Sequence, residues 1–304
     1  LQVVPGRAVQ DAVGERAGLE PPHHSAAEID VRVGGEHEAS ARAAGPERWL
    51  KAYLARENPT RAFAVLSWGA AGTKWLAKAL KSSSEIFCVH SINGGMATLH
   101  NAPRSHGLEY LLLLLNNGAA YLAAGDVHGV SRDDIPAIRA TLGDLFRCAI
   151  LVREPMARLR SQNALFGAHS ARSGKPWGEL DYLNPLIRSL GMDDESIPYA
   201  ERLFIHGTNQ LNAIIEEIGI GPVYRMEDLT TSVEALRALV DHLTGSVVTT
   251  SAEWARAAID TSPANAHVTA AAPFTERQLE IVRRVVQPEA WRLYRNLGYD
   301  APDR

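Results

Sequence analysis

The chain has 304 residues, of which 46% are hydrophobic and 22% charged, so it can form one large or two small domains with a packed core. A formal net charge of −4 and a pI near 6.3 argue against a general nucleic-acid-binding protein. Its two cysteines, Cys88 and Cys148, are too few for a disulfide framework and lack the spacing of a zinc site, so we expect buried thiols and no metal.

The first 45 residues differ in composition from the rest of the chain. They are rich in Ala, Gly, Glu and Arg and contain one strand-like patch, residues 29–33. We predict a loosely ordered N-terminal extension over residues 1–45 and a main domain over residues 46–304. No segment approaches the roughly 18 apolar residues that cross a bilayer, and the start lacks a signal-peptide pattern. We therefore expect a cytoplasmic protein without a membrane partner.

From residue 46 onward, short apolar runs alternate with segments of helical periodicity. Helices are predicted at 47–56, 73–81, 108–116, 133–142 (capped by Asp133), 155–168, 198–218, 233–244, 251–260, 275–286 and 289–297. Strands are predicted at 62–66, 86–89, 120–123, 147–152 and 222–225. Strands separated by helices indicate an α/β fold in three layers, a parallel sheet flanked by helices. Ligands of such sheets bind at the carboxyl ends of the strands.

A glycine-containing loop links the first predicted strand to the following helix. It reads Ser67-Trp68-Gly69-Ala70-Ala71-Gly72-Thr73-Lys74-Trp75-Leu76. Strand, tight loop and helix is the geometry that directs backbone N–H groups at an anion. The loop is not a Walker A motif, because its two glycines are too close together and Trp75 follows the lysine. Taken alone, it is equally compatible with a tight turn that needs glycine for its backbone angles.

A second loop follows the strongest predicted strand, 147–152. Arg153 stands at the end of this strand, Pro155 begins the next helix, and Ser161 lies within that helix. An arginine here can pair with a phosphate through its planar fork. The alternative for Arg153 is a surface arginine at a helix N-terminus. Two anion-directed loops in one chain predict a ligand that carries negative charge at both ends.

Together, the two loops resemble those of the cytosolic-type sulfotransferases, which use 3′-phosphoadenosine 5′-phosphosulfate. The family's 5′-phosphosulfate loop reads Tyr-Pro-Lys-Ser-Gly-Thr-Thr-Trp-Leu and matches residues 68–76. Its 3′-phosphate segment is Arg-x-Pro with a serine eight positions after the arginine, as in Arg153, Pro155 and Ser161. Two softer matches are residues 224–229, similar to the family's Tyr-Glu-Asp-Leu segment, and 293–299, similar to its terminal helix. The resemblance covers residues 60–300.

This resemblance implies a P-loop, nucleotide-kinase-like sulfotransferase fold. It implies transfer of a sulfonate from 3′-phosphoadenosine 5′-phosphosulfate to a hydroxyl of a small acceptor, such as a sugar or a phenol, with adenosine 3′,5′-bisphosphate as product. The implied cofactor-binding residues are Gly69, Ala70, Ala71, Gly72, Thr73, Lys74, Trp75, Arg153 and Ser161. Trp75 would contact the adenine; its alternative role is core packing of the helix. The chain is also compatible with a homodimer.

The resemblance also implies a catalytic base. The family's base is the histidine of a Thr-His-Leu-Pro-like segment about two dozen residues before Arg-x-Pro. Here His128 lies 25 residues before Arg153. Sulfonate transfer to a hydroxyl requires removal of its proton, and histidine titrates in a suitable range. The alternative is a loop histidine without a role, and His90, His100 and His106 compete for the assignment.

The chain departs from the family at two positions that carry charge. The family's loop lysine falls on Ala70, so Lys74 is the nearest cation. Lys74 either neutralises the leaving phosphate, which makes it catalytic, or points to solvent. The family's late Arg-Lys-Gly-x-x-Gly segment is replaced by residues 264–273, which contain no Lys or Arg. Two alternatives therefore remain: a catalytically impaired sulfotransferase-like binding module, and a P-loop nucleotide or small-molecule kinase.

Overall fold

The computed structural model describes residues 46–90, 107–173, 180–192, 196–261 and 273–301. The predicted N-terminal extension, His100 and His106, and nearly all of residues 264–273 lie outside these ranges. From Leu50 onward the chain forms one compact unit.

Five parallel strands form one sheet. They are β1 Arg61–Leu66, β2 Ile86–His90, β3 Ala123–Val127, β4 Phe146–Val152 and β5 Val223–Arg225. Their order across the sheet is β2-β3-β1-β4-β5, so the buried strand β1 lies in the centre. After β1 the chain crosses towards β2, whereas after β4 it continues towards β5. The carboxyl ends of β1 and β4 therefore flank the point where the winding reverses, which is where open α/β sheets bind their ligands.

Helices cover both faces of this sheet. The described helices are α1 Pro46–Leu54, α2 Thr73–Lys81, α3 Gly107–Asn117, α4 Ile135–Leu142, α5 Pro155–Ser173, α6 Asn184–Ser189, α7 Tyr199–Asn209, α8 Ile214–Glu217, α9 Met226–Leu229, α10 Val233–Thr244, α11 Ala252–Asp260, α12 Glu276–Val285 and α13 Pro288–Asn296. Alternate residues of β1, Phe63 and Val65, pack into one core with α2, α10 and α11. Helices α3 and α4 contact β3 and β4 respectively. The predicted three-layer parallel α/β sheet is confirmed.

The third strand was predicted at the wrong place. It spans Ala123–Val127 instead of residues 120–123. Its small residues and one aspartate give little strand signal, yet all five positions are buried between β1 and β2. Gly125 fits because a Cβ there would lie 2.2 Å from the carbonyl oxygen of Phe63. The corrected bounds put His128 directly after the strand.

The predicted long helix over residues 198–218 is also wrong. Helix α7 ends at Asn209, a 3-10 turn covers Gln210–Ala213, and the four-residue α8 follows. Within the turn, Asn212 donates to the carbonyl of Val285 (3.0 Å) and accepts from the N–H of Gln287 (2.8 Å). These tertiary hydrogen bonds accompany the break in the helix, which the local sequence does not signal.

Smaller differences concern helix ends and one missed helix. Helix α5 extends to Ser173, past the predicted end at residue 168. Helix α6 was not predicted, although Pro185 in its first turn is a favourable start. Ser131, not Asp133, caps the 3-10 turn that precedes α4. Both cysteines are buried, as predicted. No helix in the described ranges is both long and apolar enough to cross a membrane.

Candidate active site

The loop after β1 has an unusual backbone conformation. Ala70 has φ 66° and Gly72 has φ 86°, both in the left-handed region. This conformation costs an alanine roughly 1–2 kcal/mol, so the surrounding contacts must hold Ala70 in place. Gly72 is the N-cap of α2 and has no side chain with which to bond the first-turn N–H groups. The start of α2 is therefore formed without a side-chain cap, and its N–H groups suit an anionic ligand.

Gly72 also lies against Met226, and this contact yields a stability prediction. A Cβ at position 72 would lie 2.3 Å from the Cε of Met226, in addition to the unfavourable φ. We expect Gly72→Ala to lower the free energy of unfolding by roughly 2–4 kcal/mol, measured by urea denaturation. Gly69→Ala is the control, because a Cβ there has no neighbour within 4 Å. Equal stability of both variants would contradict this account of the loop.

Two arginines hold the carbonyl groups of this loop. The Nη1 of Arg153 donates to the carbonyl oxygen of Ala70 at 3.0 Å. The Nε of Arg158 donates to the carbonyl oxygens of Gly69 at 3.1 Å and Trp68 at 3.3 Å. Three successive carbonyl groups thus accept hydrogen bonds from guanidinium groups. Arg153 thereby joins the two loops that the sequence marked as anion-directed.

Arg158 was missed in the sequence analysis. It is only 3% exposed, and burial lowers the pKa of its guanidinium. Its Nη2 donates to the Oε1 of Gln210 (3.0 Å), which also accepts from the Nε2 of Gln162 (2.7 Å). Arg158, Ser161 and Gln162 have the i, i+3, i+4 spacing of one helix face, and all three are buried. This polar helix face, which includes the predicted Ser161, is the sequence signal that could have identified Arg158 as a site residue.

A buried carboxylate fixes the side chain of Trp68. The indole Nε1 donates to the Oε1 of Glu217 at 2.5 Å. Glu217 is 6% exposed, and burial raises its pKa to about 7, against the opposing effects of Trp68, Arg132 and Arg158. No local sequence pattern signals this contact, because its partners lie 149 positions apart.

The raised pKa of Glu217 predicts a pH-dependent stability. Because this pKa rises from 4.5 to about 7 on folding, the folded protein binds the extra proton between these values. Stability attributable to Glu217 is therefore highest below pH 4.5, falls as the pH rises to 7, and stays low above it. Glu217→Gln keeps an acceptor for Trp68 but has no carboxyl group to titrate. We expect its free energy of unfolding, relative to that of the wild type, to be about 3 kcal/mol higher at pH 8 than at pH 5. Urea denaturation at both pH values measures this.

Glu216→Gln is the matched control for that measurement, since Glu216 is exposed and ion-paired with Arg132. This variant should follow the pH dependence of the wild type. A Glu217→Gln variant that also follows it would contradict a buried, titrating carboxyl group.

The position and tautomer of His128 follow from its contacts. Its backbone N–H donates to the carbonyl of Val65 at 2.9 Å, and its φ is 79°. The ring Nδ1 is hydrogen-bonded to the carbonyl oxygen of Ser67. Because a carbonyl can only accept, Nδ1 carries the hydrogen and Nε2 of the neutral ring has a free lone pair. Burial lowers the pKa of His128. This histidine is therefore neutral near pH 7 and chemically able to accept a proton.

A second histidine shares this edge of the sheet. His90 ends β2, and its Nε2 lies 2.8 Å from the Oγ1 of Thr73. The rings of His90 and His128 are stacked, with centroids 6.0 Å apart. Burial, together with the charges of His128 and Lys74, lowers the pKa of His90 to about 4. Lys74 itself is exposed, and within the described ranges it forms no hydrogen bond or ion pair. Its charge nevertheless acts at this end of the site.

Three further predicted cofactor residues are buried, in contrast to Lys74. Ala71 is 1% exposed and Ser161 is 8% exposed. Trp75 is 5% exposed, packs in the core, and donates its indole N–H to the carbonyl of Ala258 at 3.1 Å. Core packing, the alternative role considered for Trp75, is therefore present; its contact with adenine stays a prediction.

The two softer sequence matches meet beside Arg153. Glu227 accepts from the N–H of Glu154 at 2.9 Å and from the hydroxyl of Tyr299 at 2.7 Å. The guanidinium of Arg225 lies over the ring of Tyr299, 4.6 Å from its centroid. Charges on Glu227 and Glu154 raise the pKa of Arg153 against the larger effect of burial, which lowers it. Residues from two separate segments, 225–227 and Tyr299, thus contact the second loop and each other.

No known family model matches the sequence, and no curated protein matches it. Among solved structures, the chain is similar to a sulfotransferase from Alicyclobacillus acidocaldarius, with 15% identity over 81% of this chain and 98% of that chain and a TM-score of 0.42. It is also similar to mouse sulfotransferase SULT7A1 in complex with PAP, with 15% identity, 82% and 85% coverage and a TM-score of 0.38. A structure from the PezAT toxin–antitoxin system of Streptococcus pneumoniae has 12% identity, 75% and 95% coverage and a TM-score of 0.22. At such identities the likeness concerns the fold alone.

Proposed function

We propose that this chain is a sulfotransferase that moves a sulfonate group from 3′-phosphoadenosine 5′-phosphosulfate to a hydroxyl of a small-molecule acceptor. The observation that carries the proposal is the hydrogen bond from Arg153 to the carbonyl of Ala70 at 3.0 Å. It brings together, at the switch point of the sheet, two loops whose residue types suit a phosphate each. A donor with phosphate at both ends of an adenosine fits that arrangement.

Each loop would bind one end of the donor. The N–H groups at the start of α2, with Thr73 and Lys74, would hold the 5′-phosphosulfate. Arg153 would pair with the 3′-phosphate, and Ser161 would add a hydroxyl hydrogen bond. Support for Arg153 comes from its partly buried setting, since an arginine with remaining N–H donors near low-dielectric surroundings binds phosphate strongly.

His128 would act as the base. Its Nε2 takes the acceptor's hydroxyl proton while that oxygen attacks sulfur from the side opposite the leaving group. The sulfur–oxygen bond to the 5′-phosphate breaks, and the negative charge moves to that phosphate oxygen. Lys74 and the N–H groups at the start of α2 stabilise this charge, so positioning and electrostatics supply most of the acceleration. The proton on His128 then leaves to solvent.

Calorimetric titration with adenosine 3′,5′-bisphosphate tests the donor site. We expect micromolar binding by the wild type and at least about a 30-fold loss in Arg153→Ala, because a charge-assisted pair is removed. Arg237→Ala removes the same charge from an exposed position on α10 and should bind like the wild type. Turnover is then measured with the full donor and a panel of sugar and phenolic acceptors.

Two results would each favour an alternative over the proposal. A preference for ATP with magnesium would favour the P-loop kinase alternative, for which a magnesium-binding carboxylate would be required. Tight bisphosphate binding without turnover on any acceptor, in a protein in which Ala70 replaces the loop lysine, would favour the binding module.

A further inference from the structure

His90 contacts a residue of the glycine loop. Its Nε2 lies 2.8 Å from the Oγ1 of Thr73, the first residue of α2. Thr73 is 4% exposed, so its hydroxyl has little contact with water. The Nδ1 of His90 is buried and has no hydrogen-bond partner among the described residues. The ring is therefore committed to Thr73 through one nitrogen.

The direction of the Thr73 hydroxyl proton matters for binding an anion. A threonine hydroxyl has one hydrogen to donate and lone pairs that accept. If that hydrogen pointed at His90, the lone pairs would face the ligand and repel its oxygens. If instead the N–H of His90 donates to Oγ1, the hydroxyl hydrogen is free to donate to the ligand. A neutral imidazole with hydrogen on Nε2 achieves this without adding a charge.

We propose that His90 is a positioning residue of the donor site: with an anion bound, its Nε2–H donates to Thr73 and turns the Thr73 hydroxyl proton towards the 5′-phosphate group of the nucleotide. The inference rests on the proposed function, because the anion that Thr73 would contact is the 5′-phosphate group of the nucleotide named there. It divides the two stacked histidines by task. His128 has a free Nε2 and removes a proton; His90 has its Nε2 occupied and orders the loop.

The electrostatic surroundings of His90 agree with this role. Burial is the main reason that its pKa falls to about 4, so the ring is neutral throughout the physiological range. Among the described residues, Lys74 on α2 and, once it is protonated, His128 on the loop after β3 also lower this pKa, so both disfavour a positive charge on His90. A neutral ring carries a single hydrogen and can occupy the Nε2–H tautomer that the bound anion selects.

The test is a double-mutant cycle on bisphosphate affinity. His90→Leu removes the donor, Thr73→Val removes the hydroxyl, and the double variant removes both. We expect each single variant to bind adenosine 3′,5′-bisphosphate roughly tenfold more weakly, because a charge-assisted hydrogen bond is lost in both. The double variant should be no weaker than Thr73→Val. His90→Gln places an amide N–H near the position of Nε2 and should stay within about threefold of the wild type.

The outcomes separate this inference from the proposed function. If the wild type fails to bind the bisphosphate, the proposed function fails first. If the wild type binds and Thr73→Val is weakened while His90→Leu is not, or if the two losses multiply in the double variant, the positioning role is overturned. The positioning role is also overturned if His90→Gln binds the bisphosphate as weakly as His90→Leu does. Circular dichroism and thermal melting establish whether each variant is folded. If His90→Leu does not fold, the affinities of His90→Gln and Thr73→Val still test the inference.

Discussion

Arg158→Met is expected to weaken binding of adenosine 3′,5′-bisphosphate by about 100-fold or more and to lower the free energy of unfolding by roughly 2–4 kcal/mol. The guanidinium of Arg158 is the hydrogen-bond donor for the carbonyl groups of Trp68 and Gly69 and for the side chain of Gln210. Methionine fills much of the same volume but donates nothing. Three partly buried acceptors would then lose this donor, and each such loss costs up to about 1–3 kcal/mol, partly offset by relaxation and water.

The effect on binding exceeds the effect expected from stability alone. A peptide carbonyl that is held by Arg158 fixes the orientation of its peptide plane, and hence of the N–H group on the next residue. Without that hydrogen bond, the residues leading to the left-handed Ala70 lose part of what holds them in place. An anion would have to order the loop as it binds, at the expense of affinity. Calorimetric titration and urea denaturation of the same preparation measure the two effects.

Two further substitutions sharpen this experiment. Arg158→Lys keeps the charge but cannot reach several acceptors through a planar fork, so its affinity should fall between those of the wild type and Arg158→Met. Arg160→Met is the control on the same helix. The guanidinium of Arg160 lies over the ring of Phe274, 5.2 Å from the ring centroid, and not against the glycine loop. This substitution should cost under about 1 kcal/mol of stability. Wild-type affinity in Arg158→Met would refute a loop-holding role for this arginine.

Some parts of the fold could be predicted because their signals are local. Strands β1 and β4 contain the continuous apolar runs 62–66 and 148–152, and each strand is followed by a glycine or proline signal and a helical pattern. The loop after β1 and Arg153 after β4 were therefore found where the structure has them. Their meeting at the switch point follows from the alternation of strands and helices, which dictates a parallel sheet with all carboxyl ends on one edge.

Other parts depend on contacts between distant segments. Strand β3 is built of small residues, and its strand conformation comes from burial between β1 and β2 and not from its own propensity. Arg158 and Glu217 meet the glycine loop from 89 and 149 positions away, and an isolated Arg or Glu in a helical pattern reads as a surface residue. The pairing of His90 with Thr73 is similar: the sequence named His90 only as a competing base, and its neighbour decides its role.

His128→Asn is expected to lower kcat by about 100- to 10,000-fold while bisphosphate affinity stays within about threefold of the wild type. Removal of the acceptor proton is the step that needs a base, and general-base catalysis contributes an acceleration of this size. Asparagine is the matched replacement here, because its amide N–H can take the place of Nδ1–H in the hydrogen bond to Ser67. It also tolerates the left-handed backbone at φ 79° better than most residues. The change therefore removes Nε2 and little else.

The pH profile separates a base from a residue that only shapes the site. Burial lowers the pKa of His128 below its ordinary 6.5, so wild-type kcat should be flat above that pH and fall on the acid side as the ring takes a proton. In His128→Asn this acid limb should disappear from the residual activity, whereas in His90→Leu it should remain, because His90 is assigned no proton transfer. If His128→Asn keeps both its turnover and its acid limb, the base lies elsewhere. His100 and His106, which the sequence analysis names as competitors for the base, would then be the next residues to replace.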